Sequence, residues 1–234
     1  MDDFPQPSTP LPGGSHAGDP EGIRWHPWPC ECCRGGQTAR RYLGSLFGAG
    51  SAILEAEWEE RSRAEVDRLI DWVASCPHTS VQTRALPRAA EGSEHRVFFA
   101  PQAVVYKHTL AGTFGDTYFI VNGRVHQRRC LPSDYLARLD LWDEVFGRAP
   151  VSLGITPVGQ IVTIQELMSG DVPSQEEVDQ YLRSEGLVDV KRQCFVWKKI
   201  YLGRDIWVGD TRDENFVKTA HGIVPIDVRL WIQD

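Results

Sequence analysis

The order of short β-branched runs and longer periodic segments is the feature that most limits the fold of this 234-residue chain. Runs rich in valine, isoleucine and aromatic residues predict strands at 96–99, 103–107, 117–121 and 160–167, and more of them between 195 and 231. Apolar residues three and four positions apart predict helices at 62–74, 132–147 and 175–184. The resulting order of strands, helix, strands, helix and strands predicts an α+β protein with two lobes.

Local signals predict where several of these elements begin and end. Ser62, three residues before Glu65, predicts a capping box at the start of the first helix. Pro77 ends that helix, because proline disfavours helical geometry in the residue before it. Asn122-Gly123 lies between two strand-like runs and predicts a tight hairpin.

Composition divides the chain into three parts. Residues 1–37 are rich in proline, glycine and serine and have little apolar periodicity, which predicts a mostly disordered tail. Residues 38–78 are predicted to form a helical lead-in that serves as scaffold. Residues 79–234 are predicted to form the main domain, with a first lobe at about 79–168 and a second at about 169–234. The hydrophobic content of 41% is enough for one sizeable core or two small lobes.

Charge and hydropathy argue against several function classes. A formal net charge of −7 argues against a protein whose main task is neutralising nucleic-acid phosphates. No apolar run approaches the roughly 20 residues needed to cross a bilayer. The N-terminus lacks the basic and apolar regions of a signal peptide. We therefore expect a cytoplasmic protein that binds no membrane.

Three of the six cysteines crowd into the segment that contains Cys30, Cys32 and Cys33. Thiolates together with His26 are zinc ligands, so a metal site is one interpretation. The usual two-residue gap between cysteines is absent, which favours the other interpretation, a mobile tail with reactive thiols. The spacing of all six predicts free thiols in a reducing compartment rather than a disulfide framework.

Near the C-terminal end, three polar residues follow apolar strand-like runs. Asp210 ends one run, Asn215 follows five residues later, and Asp227 ends the next run. Phosphoryl transfer needs metal ions on the phosphates and a carboxylate that orients the attacking hydroxyl. Magnesium takes oxygen ligands and usually only one or two from protein. These residues match that requirement, although an ordinary pair of turn aspartates is the alternative.

This pattern resembles the catalytic and metal-binding loops of protein kinases. The resemblance implies that Asp210 is the catalytic aspartate and that Asn215 and Asp227 bind magnesium. Two departures are clear: Gly209 stands where kinases usually have arginine, and Asp227-Val228-Arg229 replaces Asp-Phe-Gly. They put regulation by an activation loop in doubt more than metal binding.

Upstream segments follow in the order that the resemblance requires. Gly92-Ser93-Glu94-His95-Arg96-Val97 resembles a reduced glycine-rich loop, which implies that Gly92, Ser93 and Val97 contact the nucleotide, with Val97 covering the adenine. Lys107 ends a strand-like run and corresponds to the lysine that anchors phosphates. The alternative for Lys107 is a surface lysine on an edge strand.

Two further contacts are implied by the same resemblance. The strand at 161–168 resembles the one that leads to the adenine-binding hinge, which implies that the backbone around Glu166 and Met168 binds adenine. An acidic residue of the intervening helix would pair with Lys107. Asp140 and Glu144 lie four apart on one helical face, and either can serve, with Glu144 favoured.

More narrowly, segments 92–107, 135–147 and 209–227 resemble the kinase-like domains of bacterial and phage polyvalent proteins. The resemblance implies a small, divergent two-lobed protein-kinase-like fold with a truncated C-terminal lobe. It also implies binding of ATP and Mg²⁺ and phosphoryl transfer to an acceptor that is a protein, the chain itself or a small molecule. A pseudokinase or nucleotide-sensing interaction module without turnover, and a non-catalytic interaction protein, remain the alternatives.

Overall fold

A computed structural model of the chain describes residues 55–75, 86–100, 103–121, 124–147, 150–191 and 195–232. Within these ranges the chain forms three α-helices and thirteen β-strands, all paired antiparallel. The predicted α+β class is confirmed. None of the described helices is both long and apolar enough to cross a membrane.

The elements fall into two groups along the chain. The first group contains α1 (Glu55–Ser75), β1 (Arg88–Glu91), β2 (His95–Ala100), β3 (Val104–Thr109), β4 (Asp116–Val121), β5 (Arg124–Arg129), α2 (Pro132–Phe146), β6 (Val151–Ile155) and β7 (Ile161–Glu166). The second group contains α3 (Gln175–Ser184), β8 (Val188–Lys191), β9 (Val196–Tyr201), β10 (Arg204–Gly209), a 3₁₀ turn (Asp213–Asn215), β11 (Phe216–Thr219), β12 (Gly222–Pro225) and β13 (Arg229–Ile232).

The first group builds a five-stranded sheet in the order β1-β2-β3-β7-β6. Helices α1 and α2 share its core, in which Leu69 and Trp72 of α1 join Tyr135, Leu136 and Leu139 of α2. The hairpin β4–β5 forms a separate two-stranded sheet between β3 and α2 in the chain.

The second group builds a four-stranded sheet in the order β13-β10-β9-β8, and β11–β12 form a separate hairpin. Its core contains Val178 and Leu182 of α3 together with Leu141, Trp142 and Val145 of α2. Helix α2 therefore contributes to both cores, one half of the helix to each. This arrangement places the ends of β10 and the β12–β13 turn near the first sheet.

The predicted capping box at Ser62 and Glu65 is wrong. Helix α1 begins at Glu55 and both residues lie in its middle, buried. The Glu65 carboxylate accepts hydrogen bonds from the backbone N–H of Ser133 (2.9 Å) and from the Ser133 hydroxyl (3.0 Å). It thereby satisfies a free donor at the start of α2, one of the groups that a helix N-terminus leaves without an internal partner.

Several sequence predictions fall outside the described residues. These are the tail at 1–37, the cysteines at 30, 32 and 33, the end of the first helix near Pro77, and the Asn122-Gly123 turn itself. The strands on either side of that turn are described, and they pair in antiparallel register with Val121 opposite Arg124. Cys130, which is described, is a buried free thiol.

Candidate functional site

One polar cleft of about 190 Å³ lies where the two groups of elements meet. Seven residues that the sequence singled out line it: Gly92, Ser93, Val97, Lys107, Asp210, Asn215 and Asp227. They come from the loop before β2, from β2 and β3, and from the loops after β10 and β12. Four further residues that the sequence did not single out complete the lining: Glu94, His95, Arg212 and Arg229.

Lys107 belongs to an inner strand, because β3 lies between β2 and β7. Only 14% of its side chain is exposed, which removes the alternative of a surface lysine on an edge strand. Its Nζ donates a hydrogen bond to the Ile226 carbonyl oxygen (2.7 Å) and lies 4.0 Å from Oδ1 of Asp227. The ammonium is thus held next to the turn that carries Asp227.

Asp210 follows the last residue of β10 in a left-handed backbone conformation, with φ of 56°. Aspartate tolerates this conformation better than most residues, because its short polar side chain bonds locally. The carboxylate accepts a hydrogen bond from Nε of Arg212 (2.9 Å), and Nε of Arg229 lies 3.7 Å from it. The hydrogen bond and the charge of Asp210 raise the pKa of Arg212.

Asn215 connects the two aspartate loops. Its side-chain amide donates to the Asp210 carbonyl oxygen (2.7 Å), and its own carbonyl oxygen accepts from the backbone N–H groups of Ile226 (2.8 Å) and Asp227 (3.4 Å). Since the amide nitrogen is used in this way, the amide oxygen is the end of Asn215 suited to a cation. Local hydrogen bonds therefore fix Asp210, Asn215 and Asp227 as one unit.

The Asp227 carboxylate faces the cleft, with 54% of the side chain exposed. Desolvation by the surrounding protein acts to raise its pKa, but the charge of Lys107, followed by His95, Arg138 and Arg229, outweighs that effect. The net result is a pKa below the ordinary value for aspartate. Asp227 is therefore an anion at neutral pH and is suited to a metal ion.

Arg229 ties the hairpin β4–β5 to the site. It donates a hydrogen bond to the Tyr118 hydroxyl (2.7 Å) and lies 3.9 Å from the Asp116 carboxylate. The Tyr118 ring packs on Trp231, with ring centroids 5.4 Å apart. Strand β4 thus supports the arginine that lies beside Asp210. An arginine two residues after Asp227 was the only sequence signal for this contact.

Glu94 and His95 also line the cleft. The Glu94 carboxylate is paired with Arg138 of α2, and His95 Nε2 lies 2.9 Å from the Tyr135 hydroxyl. Burial lowers the pKa of His95 to about 4, so the ring is neutral at pH 7. Their neighbours in sequence, Gly92 and Ser93, were the signal that this loop belongs to the site.

Neither Glu144 nor Asp140 is shown to pair with Lys107, as had been expected from the sequence. Glu144 forms an ion pair with Arg204 at 2.7 Å, and the residues that line the cleft include neither Glu144 nor Asp140. Helical spacing fixed the face that these two acids share, but it did not reveal that Glu144 pairs with Arg204. Glu166 is exposed at the end of β7, and Met168 is half-buried just beyond it. Neither residue lines this cleft.

The oxygen donors fit magnesium that is shared with phosphates better than a metal held by protein alone. No three His, Cys, Asp or Glu side chains in the described part of the chain are grouped as a metal centre. Asn215 and Asp227 could supply two oxygen ligands from one hydrogen-bonded unit. Magnesium usually takes one or two protein ligands and completes its shell with water and substrate phosphates.

Comparisons of the chain with protein-family models, with curated proteins and with solved structures found no match.

Proposed function

We propose that this chain binds ATP with magnesium in the cleft and acts as a kinase-like phosphotransferase. The observation that carries the proposal is the convergence of Lys107, Asp210, Asn215 and Asp227 on one cleft, together with the loop at Gly92. Lys107 and Asp227 are 120 positions apart in the chain, so local sequence cannot account for their meeting.

The geometry of the first sheet supports the same proposal. Lys107 lies on β3, next to a strand that follows a glycine-containing loop, which is the arrangement of the phosphate-binding lysine in protein kinases. The cleft of about 190 Å³ is smaller than the roughly 300–1,000 Å³ of typical ligand pockets. Its volume and polar lining suit the phosphate end of a nucleotide. A divergent two-lobed kinase-like fold is part of the proposal.

Each residue has a role in the proposed reaction. Lys107 and the loop at Gly92 and Ser93 bind the phosphates, and Asn215 and Asp227 hold magnesium, which neutralises charge on the phosphates. Asp210 orients the acceptor hydroxyl and takes its proton. The acceptor is a hydroxyl group of a protein, of the chain itself or of a small molecule.

Nucleotide binding without turnover is the second candidate. The observation that favours it is the ion pair between Asp210 and Arg212, with Arg229 nearby, because these cations occupy the carboxylate that would receive the proton. In this case the chain acts as a nucleotide-sensing module with the same binding residues.

Thermal unfolding with ligands tests the proposal. A ligand that binds only the folded state at a concentration 100 times its Kd adds about 2.7 kcal/mol to the free energy of unfolding. For a chain of this size we expect Tm to rise by roughly 5–10 °C with ATP and magnesium. The expected order is ATP with magnesium, then ATP with a chelator, then magnesium alone, which should have no effect. An unchanged Tm at saturating ATP and magnesium would overturn both candidates.

A further inference from the structure

Two side chains of α2 reach the loop that lines the cleft before β2. The Arg138 guanidinium contacts both carboxylate oxygens of Glu94, with Nη1 at 3.4 Å from Oε2 and Nη2 closer to Oε1. One turn earlier in the helix, the Tyr135 hydroxyl lies 2.9 Å from His95 Nε2. Helix α2 therefore holds the last residue of this loop and the first residue of β2.

The pair between Glu94 and Arg138 is buried, with only 7% and 5% of the two residues exposed. The Arg138 guanidinium also lies over the Tyr135 ring, 4.6 Å from its centroid. Glu94 is nevertheless one of the residues that line the cleft, as Lys107 and Asp227 are. The loop thus brings a carboxylate to a place where the proposed ligand carries several negative charges.

The surrounding backbone is shaped around this carboxylate. A Cβ atom at Gly115 would lie 2.2 Å from the Glu94 carboxylate carbon, and Gly115 has a φ of +74°, a conformation that favours glycine. Glycine at position 115 therefore leaves space for the Glu94 carboxylate and allows the backbone conformation that this position requires. The ion pair is enclosed by α2 on one side and by the segment before β4 on the other.

Stability alone explains such a pair poorly. Taking two charges out of water is costly, and well-packed apolar residues of similar volume often give an equally stable fold. The position of the pair suggests a task at the cleft. A free carboxylate at residue 94 would repel phosphates in the cleft, because charges close together in a partly buried site interact strongly. A carboxylate neutralised by Arg138 would not.

We propose that Arg138 is a positioning residue for the phosphate site, which neutralises Glu94 and fixes the loop at residues 92–95, so that affinity for the cleft depends on the negative charge of the ligand. Arg138 acts through Glu94 and does not itself line the cleft. The consequence for ATP rests on the proposed function, whereas the link between α2 and the loop does not.

The first experiment measures affinity for ATP and for uncharged adenosine, with magnesium, in four forms of the full chain: wild type, Arg138→Gln, Glu94→Gln and the double variant. Arg138→Gln leaves Glu94 without its neutralising partner and should weaken ATP binding about tenfold or more while changing adenosine binding little. Glu94→Gln should bind ATP at least as tightly as wild type even if Tm falls. The double variant should recover most of the lost ATP affinity, since neither charge remains.

Glu144→Gln is the matched control, because it breaks another arginine–carboxylate pair of α2, with Arg204, away from the cleft. It should leave ATP affinity unchanged. Equal losses of ATP and adenosine binding in Arg138→Gln, or no recovery in the double variant, would overturn the charge-neutralising role. So would weaker ATP binding in Glu94→Gln, which stays informative if Arg138→Gln does not fold.

Hydrogen exchange without any nucleotide separates this inference from the proposed function. The amide of Leu110 donates to the Glu94 carbonyl oxygen (3.0 Å), and the amide of Gly92 donates to the His95 carbonyl oxygen (2.9 Å). Arg138→Gln should speed exchange at both amides while amides in β9 and β10 keep their protection. Unchanged exchange at Gly92 and Leu110 would refute the link to α2. If wild type binds no ATP but exchange changes as described, only the proposed function fails.

Discussion

Lys107 and Ile226 are joined by a hydrogen bond of 2.7 Å from the lysine ammonium to the backbone carbonyl oxygen. The bond crosses from β3 of the five-stranded sheet to the turn that carries Asp227. Lys107 is therefore kept in the cleft by the second group of elements and does not need the acidic partner from α2 that its sequence context suggested.

Replacing Lys107 by methionine should weaken ATP binding while keeping the apolar part of the side chain packed. A hydrogen bond to a charged group contributes about 1.5–3 kcal/mol, so we expect affinity to fall roughly 10- to 100-fold. Isothermal titration of ATP with magnesium measures the change. Lys199→Met, on β9 and outside the cleft lining, is the control and should leave affinity unchanged. Equal affinities in the two variants would remove Lys107 from the site.

Asp227→Asn should remove the effect of magnesium on ATP binding. The amide is a weaker metal ligand than the carboxylate, whose low pKa keeps it charged at neutral pH. In wild type, a chelator should reduce the rise in Tm that ATP produces. In the variant, the rise should be small and the same with or without the chelator. A full magnesium response in Asp227→Asn would exclude this residue as a metal ligand.

Asp210→Asn separates the two candidate functions. Asparagine also tolerates the positive φ at this position, so the loop should keep its conformation. If the chain is a phosphotransferase, transfer of labelled phosphate from ATP should fall by about 10²–10⁴-fold, the usual contribution of a general base, while ATP affinity stays within a fewfold. Transfer that is undetectable in wild type but accompanied by ATP binding would support the nucleotide-sensing module instead.

Two buried histidines should make the fold sensitive to mild acid. Burial lowers the pKa of both His95 and His108 to about 4, and for His108 the charge of Arg96 adds to the effect. An unfolded histidine has a pKa of about 6.5, so between about pH 6.5 and 4 the unfolded chain binds more protons than the folded chain. Stability is therefore full above about pH 6.5 and falls by about 1.4 kcal/mol per pH unit for each histidine below it.

Denaturant unfolding at several pH values measures this dependence. His95→Gln and His108→Gln should each remove part of the slope between pH 6.5 and 4, and the double variant should remove both parts. Each variant is the control for the other, since each removes one histidine and leaves the other in place. A wild-type slope that neither variant changes would show that these rings do not titrate as described.

Glu65→Ala should destabilise the fold more than its position in a helix suggests. The change removes the acceptor for both donors of Ser133 and one partner of Arg61, and it leaves the N–H of Ser133 without that bond. We expect a loss of about 1–3 kcal/mol in the free energy of unfolding, measured with urea. Glu60→Ala, exposed on the same helix, should change it by less than about 0.5 kcal/mol. A similar small effect for Glu65→Ala would contradict the role of its carboxylate at α2.

The chain order of the elements and most of the cleft lining could be predicted from local sequence patterns. Asp210, Asn215 and Asp227 lie in short polar segments after apolar runs, and the loops that carry them meet because β10 and the β12–β13 turn are close in space. Lys107 was predicted because the run 104–107 resembles the kinase strand that bears the phosphate-anchoring lysine, and in the structure β3 continues past it to Thr109. Local patterns together with the family resemblance were enough to identify these residues.

What could not be predicted is which distant side chain meets which. A serine followed three residues later by a glutamate looks the same at a helix start and in mid-helix, and only the contact with Ser133 distinguishes the two for Glu65. Helical spacing placed Asp140 and Glu144 on one face, but Arg204 decides where Glu144 points. The pairing of Glu94 with Arg138 depends on space left by Gly115, which no pattern near Glu94 reveals.

The contact between Glu65 and Ser133 has a consequence for where the chain can be divided. Helix α1 supplies Leu69, Trp72 and Val73 to the core that also holds Tyr135 and Leu136, and its glutamate completes the first turn of α2. A fragment that began at residue 79 would keep every residue of the cleft, yet it would lose the acceptor that orders the start of the helix carrying Arg138. We therefore expect a fragment that keeps residues 55–75 to be more stable than one that begins at residue 79.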